Sequence, residues 1–340
     1  MAAARNKFSN KFGFIAAAAG SAVGLGNIWK FPFEVGKGGG SAFLIMYLVF
    51  CFVLCYPILV TEIAIGRRSQ KSAALAFKPL GHPRWSGVGI IGVFCGVLIL
   101  SFYNVVAGWV LGYFVEMLLG NFSIGENFEA YVNDIAEVGG YTIAFLIATA
   151  VIVSQGVTKG IEKASKILMP VLLVIIVALV IYALTLEGAV EGIKFYLIPD
   201  FSKVDLNVIY RALGQSFFSL SLGLGALMTY GSYLSRKENV VSAGALITIA
   251  DVGIAFLAGL MIFPFVFSQG IEPEGGAGLI FMTMPGIFES MGPTLGIVVG
   301  SSFFLLLSFA ALTSTISLME LPVAYLVDKH KVKRKMAVWY

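Results

Sequence analysis

The sequence predicts an all-α membrane protein of eight spans, with the first and sixth broken near mid-membrane. Three observations predict it. Hydrophobic residues fill 58% of the 340 positions and charged residues only 12%, about half the charge of an average soluble domain, and the mean hydropathy is +0.90. The apolar residues gather into runs of about 20, the length a helix needs to cross a bilayer. Two of these runs carry glycine pairs in their interior, Gly24-Leu25-Gly26 and Gly223-Leu224-Gly225.

The spans are placed near 12–35, 41–66, 87–119, 139–155, 165–186, 208–234, 240–269 and 295–327. The basic start (Arg5, Lys7, Lys11) leads into a run too long for a signal-peptide core, so it reads as the first span. The loop after span two holds Arg67, Arg68, Lys71, Lys78 and Arg84 without an acid. The next holds Glu126, Glu129, Asp134 and Glu137 without a base. Lys159, Lys163 and Lys166 follow span four, and 187–205 is mixed and leans acidic. Arg236 and Lys237 follow span six; Glu272, Glu274 and Glu289 follow span seven; Lys329, Lys331, Lys333, Arg334 and Lys335 follow span eight. Basic loops are cytoplasmic loops, so both ends of this chain are expected in the cytoplasm and the protein in the cell (plasma) membrane. Spans three and eight are long enough to tilt or project. Met336–Tyr340 reads as the first turn of another span, so the sequence is expected to be the N-terminal portion of a longer protein.

Cys51, Cys55 and Cys95 lie in apolar runs and offer neither a disulfide framework nor metal spacing. His82 and His330 sit in basic loops. There is no HExxH, no intramembrane histidine cluster and no nucleophile with a nearby base, which disfavours an enzyme; the absence of a ring-forming repeat disfavours a passive channel.

The breaks carry the functional signal. Glycine costs about 1 kcal/mol against alanine inside a helix, and a break frees N–H and C=O groups that lipid cannot satisfy. Paired breaks in corresponding spans point to a secondary transporter with its site at the membrane midplane. The N-terminal end of a half-helix suits a carboxylate, and the free carbonyls of the opposite end suit a hard cation such as Na⁺. Oxygen-bearing side chains lie at the same depth: Asn27, Ser219, Ser221, Asp251, Thr313, Ser314 and Thr315. Asp251 sits midway along its span among Ile249, Ala250, Val252 and Ile254; an intramembrane carboxylate marks an ion or proton site, or else a protonated or locally bonded acid. Thr313-Ser314-Thr315 reads alternatively as helix-packing glue, Tyr103 and Asn104 as groups needing either a protein or a ligand partner. Glu62 and Glu116, nearer span ends, read as snorkelling or interhelical bonds, and Glu320 as lining a cytoplasmic exit path.

At these positions the chain resembles the neurotransmitter:sodium symporter family, in its bacterial amino-acid-transporter form. Gly20-Ser21-Ala22-Val23-Gly24-Leu25-Gly26-Asn27-Ile28-Trp29-Lys30-Phe31-Pro32 is similar to the family's first-span signature, continued by Gly38-Gly39-Gly40-Ser41-Ala42-Phe43, Pro57, Glu62, Gly66 and Arg67. Gly214-Gln215-Ser216-Phe217-Phe218-Ser219-Leu220-Ser221-Leu222-Gly223 resembles the sixth span, and Ala310-Ala311-Leu312-Thr313-Ser314 the eighth. The resemblance runs in order from Arg5 to Tyr340. It implies the leucine-transporter-type inverted-repeat fold: 1–186 as the first five-span repeat, 187–207 as an extracellular loop, and 208–340 as part of the second repeat, with eight of the usual eleven or twelve spans.

The resemblance implies two sodium sites and no organic cofactor. One uses the Ala22 carbonyl, Asn27, Ser219 and Asp251 with the substrate carboxylate; the other the carbonyls of Gly20, Val23 and Ala310 with the hydroxyls of Thr313 and Ser314. The substrate carboxylate would meet the Leu25 and Gly26 amides and the Tyr103 hydroxyl. Its side chain would lie among Ile99, Phe218, Ser221, Leu224, Ser314 and Leu318, with Phe218 also a lid. Gly24 leaves room where amine-transporting relatives place an aspartate. Lys30 would belong to the outer gate, where many members carry arginine; Arg5 with Asp328, near Phe8 and Tyr233, to the inner gate. Gly160 and Pro170 match a Gly-x₉-Pro pattern that the family links to unwinding of span five, although a proline also simply kinks a helix. Asp251 stands where many members carry asparagine. Chloride-dependent relatives bind an anion near positions matching Tyr47, Gln215 and Ser219, and a fixed carboxylate could replace that anion. The expectation is therefore sodium-coupled, chloride-independent symport of an apolar or aromatic amino acid. The alternative is a non-transporting amino-acid-binding membrane protein or an inactive truncated symporter. The other expected partner is the lipid bilayer, with no nucleic acid; oligomeric state is not readable.

Overall fold

Residues 7–270 and 278–339 are described by the structure, a computed structural model. Arg5, Glu272, Glu274 and Tyr340 lie outside the described residues.

Among the described residues, six helices are long and apolar enough to cross a membrane: Ser41–Ser69, Pro83–Leu118, Ile135–Ser154, Val157–Ala183, Val240–Phe267 and Pro293–His330. They are spans two to five, seven and eight. Span one is the pair Lys11–Ala22 and Gly26–Lys37, bent by 50° at its break. Span six is divided more deeply than the apolar run 208–234 suggests. Its first half is Leu206–Ser219 and its second half only Ala226–Gly231, with a turn over 220–225 between them.

Local chemistry starts the helices where it should. Asn10, Asp134, Asp205 and Asn239 each accept an amide from the first turn that follows, satisfying N–H groups that a helix start leaves without partners. The span-six turn needs left-handed backbone at Ser221 (φ 53°), Gly223 (φ 84°) and Gly225 (φ 78°). Glycine adopts this freely. Ser221 does not, and its hydroxyl is held by the Ser21 carbonyl at 3.2 Å. Glu62 of span two accepts the Gly223 amide at 2.8 Å, so this acid bonds across helices and satisfies the break.

Two stretches expected as loops carry helices. Ala189–Leu197 packs on span seven, where the Tyr196 hydroxyl donates to the Phe256 carbonyl at 3.2 Å. In the stretch after span seven, Leu279–Thr283 and Met284–Ser290 drive Phe281 to 1% exposure. There it meets Trp29, Trp109, Tyr113 and Phe128 at ring-centre distances of 5.1–6.0 Å. Aromatic side chains bury the most apolar area per residue, so this cover ties the second half of span one to span three. Span eight, 38 residues long, lies along span three and brings Ala310–Leu318 opposite the first break.

Candidate functional site

The helical ladder of span one ends with the Val23 amide donating to Ala19 at 2.7 Å. The next two amides turn away. Gly24 donates to the Asn27 side-chain oxygen at 3.0 Å, and Leu25 to the Tyr103 hydroxyl at 2.9 Å. The carbonyl of Gly20, whose ordinary partner is the Gly24 amide, is thereby left outside the ladder, as are the carbonyls of the last turn that follow it.

Three of the four residues of the first predicted set, Asn27, Ser219 and Asp251, meet here from three spans, with Asn27 turning its amide nitrogen toward the other two. Asn27 Nδ2 donates to Asp251 Oδ1 at 2.7 Å and to Ser219 Oγ at 3.0 Å. Ser219 donates to Asp251 Oδ2 at 2.7 Å. Asn27 and Asp251 are fully buried, and Ser219 nearly so. A buried carboxylate persists only where donors converge on it, and here they come from spans one and six. Tyr47 of span two lies 3.0 Å from Ser219 Oγ and 3.5 Å from Asp251 Oδ2. Gln215 donates to the Gly26 carbonyl at 2.9 Å.

The second set joins spans one and eight. The Thr313 hydroxyl is 3.0 Å from the Ala310 carbonyl and 3.4 Å from that of Val23, and the Ser314 hydroxyl is 3.3 Å from Val23. A hydroxyl carries one proton, and good O–H···O bonds are about 2.7–2.8 Å. The Val23 carbonyl is thus faced by oxygens that satisfy it poorly. Such an arrangement suits a small hard cation, which prefers oxygen ligands. Gly20 lies against Thr313, with a hypothetical Cβ 3.2 Å from the Thr313 Cβ. Thr315 faces away from this set and bonds Thr149 of span four at 2.9 Å, which is packing.

Between the two breaks lies a cavity of about 160 Å³. Ala22, Gly24, Gly26, Ser221 and Leu224 line it from the broken spans, Ile99 and Tyr103 from span three, Ser314 and Leu318 from span eight, and Phe218 from span six. Of the predicted substrate residues Leu25 does not line it, and neither does Ser219 of the first sodium set, which was also expected at the substrate. The walls hold no ionisable group except the Tyr103 phenol. Both first-span glycines are required by close approach: a Cβ on Gly24 would strike the Ser314 hydroxyl and stand 2.8 Å from the Tyr103 oxygen, and one on Gly26 would stand 2.9 Å from the Phe218 ring. A second cavity of about 330 Å³ lies toward Trp29, Lys30, Phe33 and Phe102. Tyr103 and Phe218 line both cavities and separate them.

Lys30 Nζ sits over the Phe218 ring at 4.2 Å. Among the described residues an ion pair on that side joins Arg211 Nε to Glu34 at 2.7 Å, linking the second half of span one to the first half of span six. Sequence reasoning missed it, because the partners lie 177 positions apart. At the opposite end Phe8 packs against Tyr230 and Tyr233, ring centres 5.9 and 6.2 Å apart, and Asp328 accepts the Ser72 amide at 2.7 Å. Glu320 does not line an open path. It is fully buried, ion-paired with Arg334 and bonded by the Tyr233 hydroxyl at 2.6 Å. Gly160 sits in a wide turn, Val157–Glu162, and Pro170 lies inside the continuous helix Lys163–Ala183, so the segment is wound in this structure.

The broken helices, the buried polar clusters and the cavity between the breaks define a multi-pass membrane protein of the transporter class. Residues 5–136 and 126–339 match the family described as the sodium:neurotransmitter symporter family. An uncharacterized sodium-dependent transporter of Bacillus subtilis, YhdH, is 40% identical over 98% of this chain and 75% of its own length. One from Methanocaldococcus jannaschii is 37% identical over 98% and 72%. The crystal structure of MhsT in complex with L-phenylalanine is similar at 46% identity and a TM-score of 0.91, covering 98% of this chain and 77% of MhsT. The chain belongs to the sodium:neurotransmitter symporter family. Its fold is the leucine-transporter type, and the family is one of sodium-dependent transporters rather than enzymes.

Proposed function

We propose that this protein carries an amino acid with an aromatic or large apolar side chain into the cytoplasm, coupled to sodium and independent of chloride. The single observation that carries the reading is the cavity between the two breaks. Its volume of about 160 Å³ compares with the ~150 Å³ cavity that holds a benzene ring in a protein core. Its lining is apolar around Leu224, Ile99 and Leu318, while one edge presents the first break and Tyr103. On this reading the Leu25 and Gly26 amides and the Tyr103 hydroxyl receive the substrate carboxylate, and Phe218 closes over it. The complex of MhsT with L-phenylalanine supports the choice of substrate class.

Sodium is written here as a co-transported substrate. One ion is assigned to Ala22, Asn27, Ser219 and Asp251, a second to Gly20, Val23, Ala310, Thr313 and Ser314. Asp251 supplies a fixed negative charge beside Tyr47, Gln215 and Ser219, which removes the need for a chloride. Coupling is linkage: each ligand that favours the same arrangement tightens the other. The alternation of basic and acidic loops supports cytoplasmic placement for both ends of this chain, and the two repeats are assigned to 1–186 and 208–340. Arg5, Phe8, Tyr233 and Asp328 are assigned to the inner closure and Lys30 to the outer, with Gly160 and Pro170 as the points where span five rearranges.

The test is equilibrium binding of a panel of labelled amino acids to the purified protein, in sodium and in potassium, with and without chloride. Saturable, sodium-requiring, chloride-insensitive binding of phenylalanine, leucine or similar residues is the expected result. Binding that is equal in potassium would refute the coupling.

A further inference from the structure

Spans one and five begin on the same side and touch at two levels. A Cβ added to Gly13 would land on the Glu162 carboxylate. A Cβ added to Gly20 would stand 3.4 Å from the Met169 sulphur. Gly13 and Gly20 are seven residues apart, as are Glu162 and Met169. Seven residues make two helical turns, about 10 Å, so the helices hold one register along this seam. The upper contact lies beside Thr313, at the second oxygen set. The lower contact is polar and sits where the chain enters span one.

Glu162 is 2% exposed, and its carboxylate is surrounded by donors. The Ser9 amide donates to it at 2.8 Å, the Ser9 hydroxyl also donates, and Lys166 Nζ lies 2.5 Å away. The Thr158 hydroxyl donates to the Lys7 carbonyl at 2.8 Å. The same short segment reaches span six, with the Phe8 amide on the Tyr233 carbonyl at 3.2 Å. Ser9 itself is exposed, so the Ser9–Glu162 bonds form the boundary between water and the packed seam. Glu162 takes part in neither oxygen set nor the cavity.

We propose that Glu162 is a positioning residue for sodium. Its bonds to Ser9 hold the cytoplasmic half of span one in register with span five, which keeps the Gly20 and Val23 carbonyls opposite Thr313 and Ser314. Releasing Ser9 frees that half-helix, opens the cytoplasmic mouth and removes the span-one side of the second ion set. By reciprocity, sodium at that set keeps the mouth closed. The proposal rests on the reading of that oxygen set as a sodium site.

The experiment compares the unaltered protein with Glu162→Gln, Ser9→Ala and Lys166→Met. It reads the sodium half-saturation of amino-acid binding and the hydrogen–deuterium exchange of residues 7–22 with and without sodium. Glu162→Gln is expected to raise the sodium half-saturation about tenfold, the order of one charge-assisted hydrogen bond, and to speed exchange over 7–22, with saturating sodium restoring protection. Ser9→Ala should act in the same direction, and so should Lys166→Met, which removes the cation of a buried carboxylate and a contact with the Ser9 hydroxyl at 3.3 Å. Two results would overturn the proposal: an unchanged sodium half-saturation in Glu162→Gln, or faster exchange throughout the protein with an unaltered sodium response, the mark of a purely structural acid. A lack of any sodium response in the unaltered protein refutes the sodium reading itself, and is distinguishable because it precedes the variants.

Discussion

Replacing Asp251 with asparagine removes one negative charge while keeping the shape of the side chain. The carboxylate is fully buried and accepts two short bonds, 2.7 Å from Asn27 and 2.7 Å from Ser219. Tyr47, at 3.5 Å, contributes little at that length. Hydrogen bonds to a charged group exceed neutral ones by about 1 kcal/mol each, so Asp251→Asn weakens this knot by roughly 2 kcal/mol. That loss is offset by no longer burying a charge, and thermal stability without sodium should change little. Sodium binding has no such offset. A unit charge about 4 Å from an ion at an effective dielectric near 20 is worth about 4 kcal/mol. The amide oxygen retains part of this, leaving a loss of roughly 2 kcal/mol, or about thirtyfold in affinity. The assay is sodium titration of labelled amino-acid binding, with gluconate or chloride as the anion. The expected outcome is a half-saturation raised about thirtyfold in gluconate and partly recovered in chloride, because an anion near Tyr47, Gln215 and Ser219 restores the missing charge. A variant that folds, keeps its sodium half-saturation and ignores chloride would refute both the ion assignment and the account of chloride independence.

Gly24→Ala places a methyl group against the Ser314 hydroxyl and 2.8 Å from the Tyr103 oxygen; overpacking of this kind costs about 1–3 kcal/mol, and calorimetry should show substrate binding weakened at least tenfold. Leu318→Ala enlarges the apolar wall of the cavity. Competition binding is expected to shift preference toward bulkier side chains, and an unchanged rank order would place the substrate elsewhere. Arg334→Ala strands the fully buried Glu320 without its cation. Breaking such a pair on one side typically costs about 3–5 kcal/mol, so the melting temperature should fall sharply, whereas the double change with Glu320→Gln should recover much of the loss.

The spans and both breaks were legible because membranes impose a coarse grammar: apolar length, loop charge and glycine pairs each report separately. Span six was harder to bound. Its turn over 220–225 is made by left-handed backbone at a serine as well as at glycines, and Ser221 carries no signal in sequence that it will adopt this conformation. The helices Ala189–Leu197 and Met284–Ser290 were read as loop because both are too short to look like spans; they pack against the longer helices. Asn27, Ser219, Asp251, Thr313 and Ser314 stood out as polar groups in apolar surroundings, and the structure gathers them into two sets. Tyr47 was visible only as part of an anion site, and its contact with Ser219 follows from the same rule that a buried hydroxyl seeks a partner. The pairs Glu34–Arg211 and Glu320–Arg334 had no such signal. Glu34 and Arg211 lie near the ends of spans, Glu320 late in span eight and Arg334 in the basic stretch beyond it, and only tertiary folding joins them.

On the proposed assignment of two ions and of cytoplasmic ends, the placement of the first break gives each ion its own role. Asn27, just beyond the break, ties the outer half of span one to spans six and seven through Ser219 and Asp251. Val23, just before it, ties the end of the inner half to span eight through Thr313 and Ser314. Outer halves one and six are further joined by Gln215 with Gly26 and by Arg211 with Glu34. A swing of the inner half alone therefore dismantles the second set while the bonds among Asn27, Ser219 and Asp251 can persist. On the proposed ion assignment, the sodium held between spans one and eight is the one whose loss accompanies cytoplasmic opening, and the ion at Asp251 remains with the substrate until the cavity itself opens. A helix unbroken at Gly24 would move both sets together and could not separate these steps.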